Sequence, residues 1–281
     1  KIVQTGVVNV TSIPKGAEIF IDGKLQEQRT PAVISNVIPG SHEIRIKKDD
    51  SSSWTKHLDV YSKQTTFANQ VVLFLVQQPE RLTTAISMPN EEKRSWQPLT
   101  QTFTIQNAND RSVLARSDEN DLATIIAYLP LGTYRIVDAP APYLLLHEAQ
   151  HERIFLIDTQ QSQQPILLNT DADQWSWSPS GDALLFSDGF DIEVYAPSLH
   201  AQETITRLSQ PITGLRWYPL GRVAVFGYEG NLFAQELDRR GEPNKTTLVE
   251  GLGVLEFWFE NEGEWIVGIA ADGSFRKRLQ K

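Results

Sequence analysis

The side chains able to do chemistry in this 281-residue chain are few and scattered. Histidines stand at positions 42, 57, 147, 151 and 200. His147 and His151 are four apart, a spacing that on a helix would turn both imidazoles to one face beside a metal ion. Here apolar runs flank them, Leu144-Leu145-Leu146 before and Ile154-Phe155-Leu156-Ile157 after. The gap therefore reads as a β-turn between strands, no metal site is expected, and Glu148 and Glu152 in that turn are expected to be solvated. Carboxylates crowd at Asp171, Asp173, Asp182, Asp188 and Asp191. Two carboxyls work as acid and base at a separation of about 5–10 Å, which a sequence does not give. Asp188-Gly189-Phe190-Asp191 also lacks the alternating spacing of a calcium loop. Turn formation is the simpler role, because an aspartate side chain accepts from backbone two residues on.

The chain has no cysteine, which excludes disulfides, zinc thiolates and thiol nucleophiles. It holds no Gly-x-Ser-x-Gly, phosphate loop or dinucleotide fingerprint. The remaining candidates are its seven tryptophans, since an exposed indole face binds sugars and protein partners. Trp175, Trp177, Trp217, Trp258 and Trp265 recur with a period and are expected mostly in the core. Trp54 and Trp96 fall outside it in polar surroundings and are expected to be exposed. The candidate binding residues are thus Trp54, Trp96, Asp188 and Asp191, with no catalytic residue, metal ligand or cofactor expected.

Bulk composition narrows the partners. A formal charge of -9 and a pI near 5.1 oppose a polyanion, whose phosphates need clustered Lys and Arg, so no nucleic acid is expected. Hydrophobic residues are 40% with a mean hydropathy of -0.31, enough for buried cores in a soluble chain. The longest apolar run, 71–76, falls far short of the roughly 20 residues that span a bilayer. Any membrane attachment is expected through a segment absent from this sequence.

These residues hang on repeated elements. Trp177 and Trp217, Pro179 and Pro219, Gly181 and Gly221, and Phe186 and Phe226 each lie 40 positions apart. Strand, turn, strand, turn, strand recurs at that period through about 101–281, giving five units, each the pattern of a propeller blade. Nothing there has the i, i+3, i+4, i+7 spacing of a helical repeat. The Trp-x-Pro-x-Gly pattern resembles TolB-like and WD-repeat β-propellers. The last unit ends with room for one more strand, which 82–87, inside a polar linker over 79–100, is expected to supply.

Before the linker, Val8, Val10 and Ser12 alternate with Asn9 and Thr11, and Ala17, Ile19 and Ile21 with Glu18, Phe20 and Asp22, as half-buried strands do. Six or seven strands are expected in residues 1–78. Val8, Val10, Ser12, Pro14, Gly16, Ala17, Asp22, Gly23, Lys24, Thr30, Pro31, Pro39, Gly40, His42 and Leu75 follow an order that resembles the PEGA domain. Lys15 stands where that domain's name-giving Glu would be. The resemblance implies a small all-β module of bacterial and archaeal surface or envelope proteins, often behind a membrane anchor, and not known as catalytic.

The combined expectation is an all-β chain, with a small antiparallel β-sandwich at 1–78 and a five-bladed β-propeller at 101–281. Its expected role is a non-catalytic, extracytoplasmic binding or scaffold protein with an envelope protein or glycan as partner. The alternatives are a propeller-type glycan-active enzyme, with its site in the central mouth of the blades, and a TolB-like envelope transport accessory.

Overall fold

The computed structural model describes residues 4–84, 86, 94–117, 123–161, 165–169 and 171–281. Parts of the expected linker loop at 88–95, and of the strands expected at 82–87 and 122–127, lie outside these. The described chain is all-β apart from two single-turn 3-10 helices. It divides into two compact units, Lys1–Glu92 with Ile212–Lys281, and Lys93–Pro211.

The first unit opens with a sandwich of β1 (Gly6–Ile13), β2 (Glu18–Ile21), β3 (Lys24–Arg29), β4 (Ala32–Val37), β5 (Gly40–Lys47), β6 (Trp54–Val60) and β7 (Thr65–Val72). The sheets run β4-β1-β7 and β3-β2-β5-β6. Alternation decides which side chains face inward: Val8, Val10 and Ser12 are buried, and Ile19, Ile44, Ile46, Leu58 and Val60 close the core. One pairing departs from the antiparallel expectation. β1 and β7 run parallel, with Val8 opposite Thr66. Parallel neighbours need a long connection, and here the other five strands provide it.

Asp22 and Gly23 both hold left-handed φ, 50° and 75°, as the two central residues of a type I′ hairpin turn must. His42 ties this turn to the next. Its Nδ1–H donates to Asp22 Oδ2 at 2.6 Å and its Nε2–H to the Ile38 carbonyl at 2.6 Å. Both partners are acceptors, so the clasp needs the imidazolium, which carries two donors. Burial pulls the His42 pKa down, but the bonds to Asp22 and to the Ile38 carbonyl outweigh it and hold it above the ordinary 6.5. The bond from His42 in turn holds the Asp22 carboxyl below 3.8. The histidine's share of stability is complete below pH 6.5 and fades as pH rises through the raised value. The aspartate's share is complete above 3.8 and fades as pH falls through the lowered value. Urea unfolding of His42→Asn beside wild type should show a deficit of about 1 kcal/mol, kept small by the exposed Asp22. The deficit should be largest between pH 4 and 6 and shrink toward pH 9; a deficit independent of pH would contradict the clasp.

After the sandwich, β8 (Glu80–Leu82) closes the N-terminal part of this unit. The second unit holds three sheets. β9 (Thr102–Asn107), β10 (Arg111–Ser117) and β11 (Ala123–Pro130) pair in the order β11-β10-β9. β12 (Tyr134–Val137), β13 (Tyr143–Glu148), β14 (Arg153–Asp158) and β15 (Ile166–Asn169) form a four-stranded meander. So do β16 (Gln174–Trp177), β17 (Leu184–Ser187), β18 (Asp191–Ala196) and β19 (Ala201–Arg207). Up-and-down antiparallel sheets of this size are the blades of propeller-like folds. β13, β14 and β17 are buried on both faces, which is why they read as unbroken apolar runs rather than alternating ones. Leu114 and Leu129 pack on Leu144, Leu146 and Phe155. Leu145, Ile154 and Leu156 pack on Leu184 and Phe186, with Trp175 and Trp177 at the margin.

The first unit resumes with β20 (Ile212–Trp217), β21 (Val223–Tyr228), β22 (Asn231–Glu236) and β23 (Lys245–Val249), a four-stranded sheet in chain order. β24 (Val254–Glu260), β25 (Trp265–Ala270) and β26 (Gly273–Arg278) follow, and β8 adds as their fourth strand, antiparallel to β26. Arg81 locks that strand with two bonds to Asp272, at 2.6 and 2.7 Å. Trp217 and Trp258 are buried in this unit, whereas Trp265 is half-buried beneath the Arg276 guanidinium.

The sandwich is joined to the sheets of its own unit through polar as well as apolar contacts. Phe74 meets the Tyr218 ring edge-on at 5.1 Å inside the shared core, and Tyr218 Oη donates to the Gly263 carbonyl. Lys56, its side chain without exposed surface, sets Nζ 2.5 Å from Glu236 Oε1 and 2.6 Å from the Asp238 carbonyl. Trp54 is corrected by this junction: it is only 4% exposed, and its Nε1–H donates to Glu236 Oε2 at 2.6 Å. Its neighbour Lys56 meets the same carboxylate, supplied from far along the chain.

Candidate functional site at one end of the second unit

In an antiparallel meander, the turn between the second and third strands lies at the same end as the connection to the next sheet. The β13–β14 turn, the β15–β16 connection and the β17–β18 turn therefore share one end of the second unit. Register agrees: Ile154 is flanked by His147 on one side and Asn169 on the other, and Gln174 opposes Ser187. This end gathers His147, Glu148, His151, Glu152, Arg153, Asp171, Asp173, Asp188 and Asp191.

Glu148 organises it. Its side chain has no exposed surface and packs over Gly132, where a Cβ would come within 2.9 Å of Glu148 Cγ. The Gln150 and His151 backbone N–H groups donate to its carboxylate at 3.0 and 3.1 Å, and His151 Nδ1 lies at 2.9 Å. Arg153 adds Nε and Nη2 at 3.1 and 3.0 Å. Burial alone would raise this carboxyl's pKa, but the bonds from His151, Gln150 and Arg153 outweigh it and hold the group below its ordinary 4.5. Solvation was the expectation for Glu148. Burial is what occurs, because its own hairpin turn folds back to supply the donors.

His147 lies against Trp175, ring centroids 5.0 Å apart, with Nε2 2.5 Å from Glu152 Oε2. The Arg135 guanidinium sits 5.8 Å from the same indole. Gln150, His151, Glu152, Arg153 and Asp171 line an open pocket of about 540 Å³. Burial raises the Asp173 carboxyl above its ordinary range, and the charges of Glu152 and Asp188 push the same way. The exposed edges of His151 and Glu152 thus stand beside Arg153 and Asp171 around one opening. Such a surface can recognise a polar ligand rich in hydroxyl or amide groups.

Asp188 and Asp191 reach this end but are engaged locally. Asp188 Oδ1 accepts from the Phe190 and Asp191 N–H groups at 2.9 and 2.7 Å, closing the turn. Asp191 makes a two-point pair with Arg207 at 2.8 and 2.6 Å, which holds its carboxyl below the usual range. Trp96 lies elsewhere in the unit and is half-buried: Nε1–H donates to the Ser178 carbonyl at 3.2 Å, and the Arg94 guanidinium covers the ring at 4.4 Å. It braces the Trp177-Ser178-Pro179-Ser180-Gly181 turn, where Gly181 holds φ of 76° and a Cβ would come within 2.7 Å of Pro140. Sequence reasoning missed Glu148, Glu152, Arg153 and Trp175 as site residues. The available signal was His147-Glu148-Ala149-Gln150-His151-Glu152-Arg153, a run too polar for a plain hairpin between two buried strands. Among the described residues no three His or carboxylate side chains are grouped to hold a metal ion.

Comparison with known proteins finds the PEGA domain at residues 5–73. No curated protein matches the chain. Solved structures similar to it include a chain of the mitotic checkpoint complex, at 10% identity and a TM-score of 0.43, covering 98% of this chain and 87% of that one. Another is the dihydro-heme d1 dehydrogenase NirN in complex with DHE, at 15% identity and a TM-score of 0.44, covering 72% of this chain and 46% of that one.

Proposed function

We propose that the chain is a non-catalytic binding module of the bacterial cell envelope, taking a protein or glycan at the polar end of its second unit. The observation that carries this reading is the prior engagement of the carboxylates there. Glu148 is saturated by its turn and Arg153, Asp188 by its own turn, and Asp191 by Arg207. Turns held this way are ordered before a ligand arrives and keep the exposed His151 and Glu152 in place, which favours recognition by lowering the ordering cost of binding. The PEGA domain supports an extracytoplasmic setting, and no described helix is long and apolar enough to cross a membrane. A TolB-like accessory role is the narrower form of the proposal, with an envelope protein as ligand.

A glycan-active enzyme is the second reading, favoured by His147 beside Glu152 with the raised Asp173 carboxyl nearby. The test is retention on immobilised envelope polysaccharide and envelope protein fractions. Wild type should be retained, and His151→Ala with Glu152→Gln should weaken retention about tenfold or more, a loss near 1.4 kcal/mol. Equal retention of the double variant would place binding elsewhere.

A further inference from the structure

The sheet of β9, β10 and β11 has three strands, whereas the two other sheets of its unit have four. Among the described residues nothing pairs with the outer side of β11. The strand is eight residues long, Ala123–Pro130, and carries no charged side chain. Ile125 and Tyr128 are 53% and 54% exposed, and Leu131 just beyond is 50% exposed.

Ile125 and Tyr128 would normally face opposite ways, three positions apart. The register shifts here: Leu114 opposes Ala127 but Ala115 opposes Ile125, so Ile126 is an extra residue. That bulge brings Ile125 and Tyr128 to one outer face, while Ala127 and Leu129 stay buried on the inner one. Uncharged length and exposed apolar residues are what edge strands ordinarily avoid, because an open edge templates another strand; only the bulge and the terminal Pro130 limit this edge. The chain fills the equivalent slot elsewhere with a remote strand, β8 on β26.

We propose that the outer edge of β11 is a strand-accepting site for an extended segment of a partner protein, rich in β-branched residues and without acidic ones. Main-chain bonds would add the segment as a fourth strand. Its alternate side chains would lie beside Ile125 and Tyr128 outside and beside Ala127 and Leu129 inside. A second copy of the chain fits less well. Two rigid edges would share a strip about 27 Å long and about 10 Å thick, well below the roughly 800 Å² per partner of a stable interface. Two copies at -9 each also repel, whereas a neutral segment is opposed neither by that charge nor by the Arg111 guanidinium 5.4 Å from the Tyr128 ring, and can continue onto the exposed outer face.

The probe is a fluorescein-labelled peptide of alternating threonine and valine with a lysine at each end, titrated into the full chain and read by anisotropy and amide hydrogen exchange. Binding should be saturable, with slowed exchange confined to 123–130. The same peptide with prolines at its central positions should bind at least about tenfold more weakly, and so should the unaltered peptide to Ile125→Lys with Tyr128→Lys. Both substitutions are at exposed positions, and an unchanged melting temperature would show that the variant folds. No binding of the alternating peptide, equal binding of the proline peptide, or protection outside 123–130 would each overturn the proposal. So would self-association of the wild type lost in the lysine variant, which would make a second copy the occupant.

Discussion

Glu148→Leu should destabilise the chain by about 3–5 kcal/mol, the usual cost of stranding one half of a buried charge pair. Arg153 would lose both of its bonds to the carboxylate, and the Gln150 and His151 N–H groups would be left without an acceptor. Glu148→Gln keeps one acceptor but turns an amide NH₂ toward Arg153 or His151, so a smaller loss of about 1–3 kcal/mol follows. The pH dependence separates charge from packing. A carboxyl held below 4.5 in the folded chain contributes stability that is complete above 4.5 and lost as pH falls through the lowered value. Urea midpoints at pH 7 should therefore differ most between wild type and Glu148→Gln, and the gap should narrow toward pH 3. The β13–β14 turn is shaped by the same bonds, so ligand retention should fall with Glu148→Gln. A variant as stable as wild type at pH 7 would mean that the hairpin does not depend on its buried carboxylate.

Lys56→Ala is expected to have an effect of similar size at the other polar centre. Lys56 Nζ is wholly buried and neutralises Glu236, which also accepts from Trp54 Nε1 and from Asn244 through both its backbone N–H and Nδ2. Removing the ammonium leaves that carboxylate nearly enclosed without a counter-charge, at a cost of about 3–5 kcal/mol. Lys56→Met with Glu236→Gln removes both charges, while the amide oxygen of the introduced glutamine can still accept from Trp54. The double variant should therefore be more stable than Lys56→Ala. A cycle of Lys56→Met, Glu236→Gln and the double variant should give a coupling of about 1–3 kcal/mol. Because the junction links β6 to β22, Lys56→Ala should lower the unfolding midpoints of probes in the sandwich and in the β20–β23 sheet together. Independent transitions, with the sandwich melting alone, would contradict a shared core.

Much of the fold is legible in the sequence, for reasons tied to particular residues. The 40-residue spacing of Trp177 and Trp217 marks the repeated sheets, and Asp22-Gly23 announces a turn that only left-handed φ permits at both positions. The turn between His147 and His151 follows from the apolar runs on either side. What escapes is long-range or directional. Alternation along β1 says which side chains turn inward but nothing about strand direction, so the parallel pairing with β7 is silent. Trp54 reads as exposed because its acceptor, Glu236, lies 182 positions away. Glu148 reads as solvated because a charged side chain in a turn normally is; its burial depends on Arg153 folding back across the hairpin. Asp188 and Asp191 are placed at the polar end as candidates, yet each is satisfied by its own turn or by Arg207, and the pocket belongs to the neighbouring hairpin.

Recognition of a ligand at the polar end of the second unit, without its transformation, is open to one decisive assay. The full chain is incubated with the envelope polysaccharide that retains it, and bound protein and newly released reducing ends are followed in the same sample. Saturable binding that Glu152→Gln weakens, with no reducing ends above the untreated polysaccharide, is the predicted result. Reducing ends that accumulate with wild type and vanish with Glu152→Gln or His147→Ala would contradict it and make the His147–Glu152 pair catalytic.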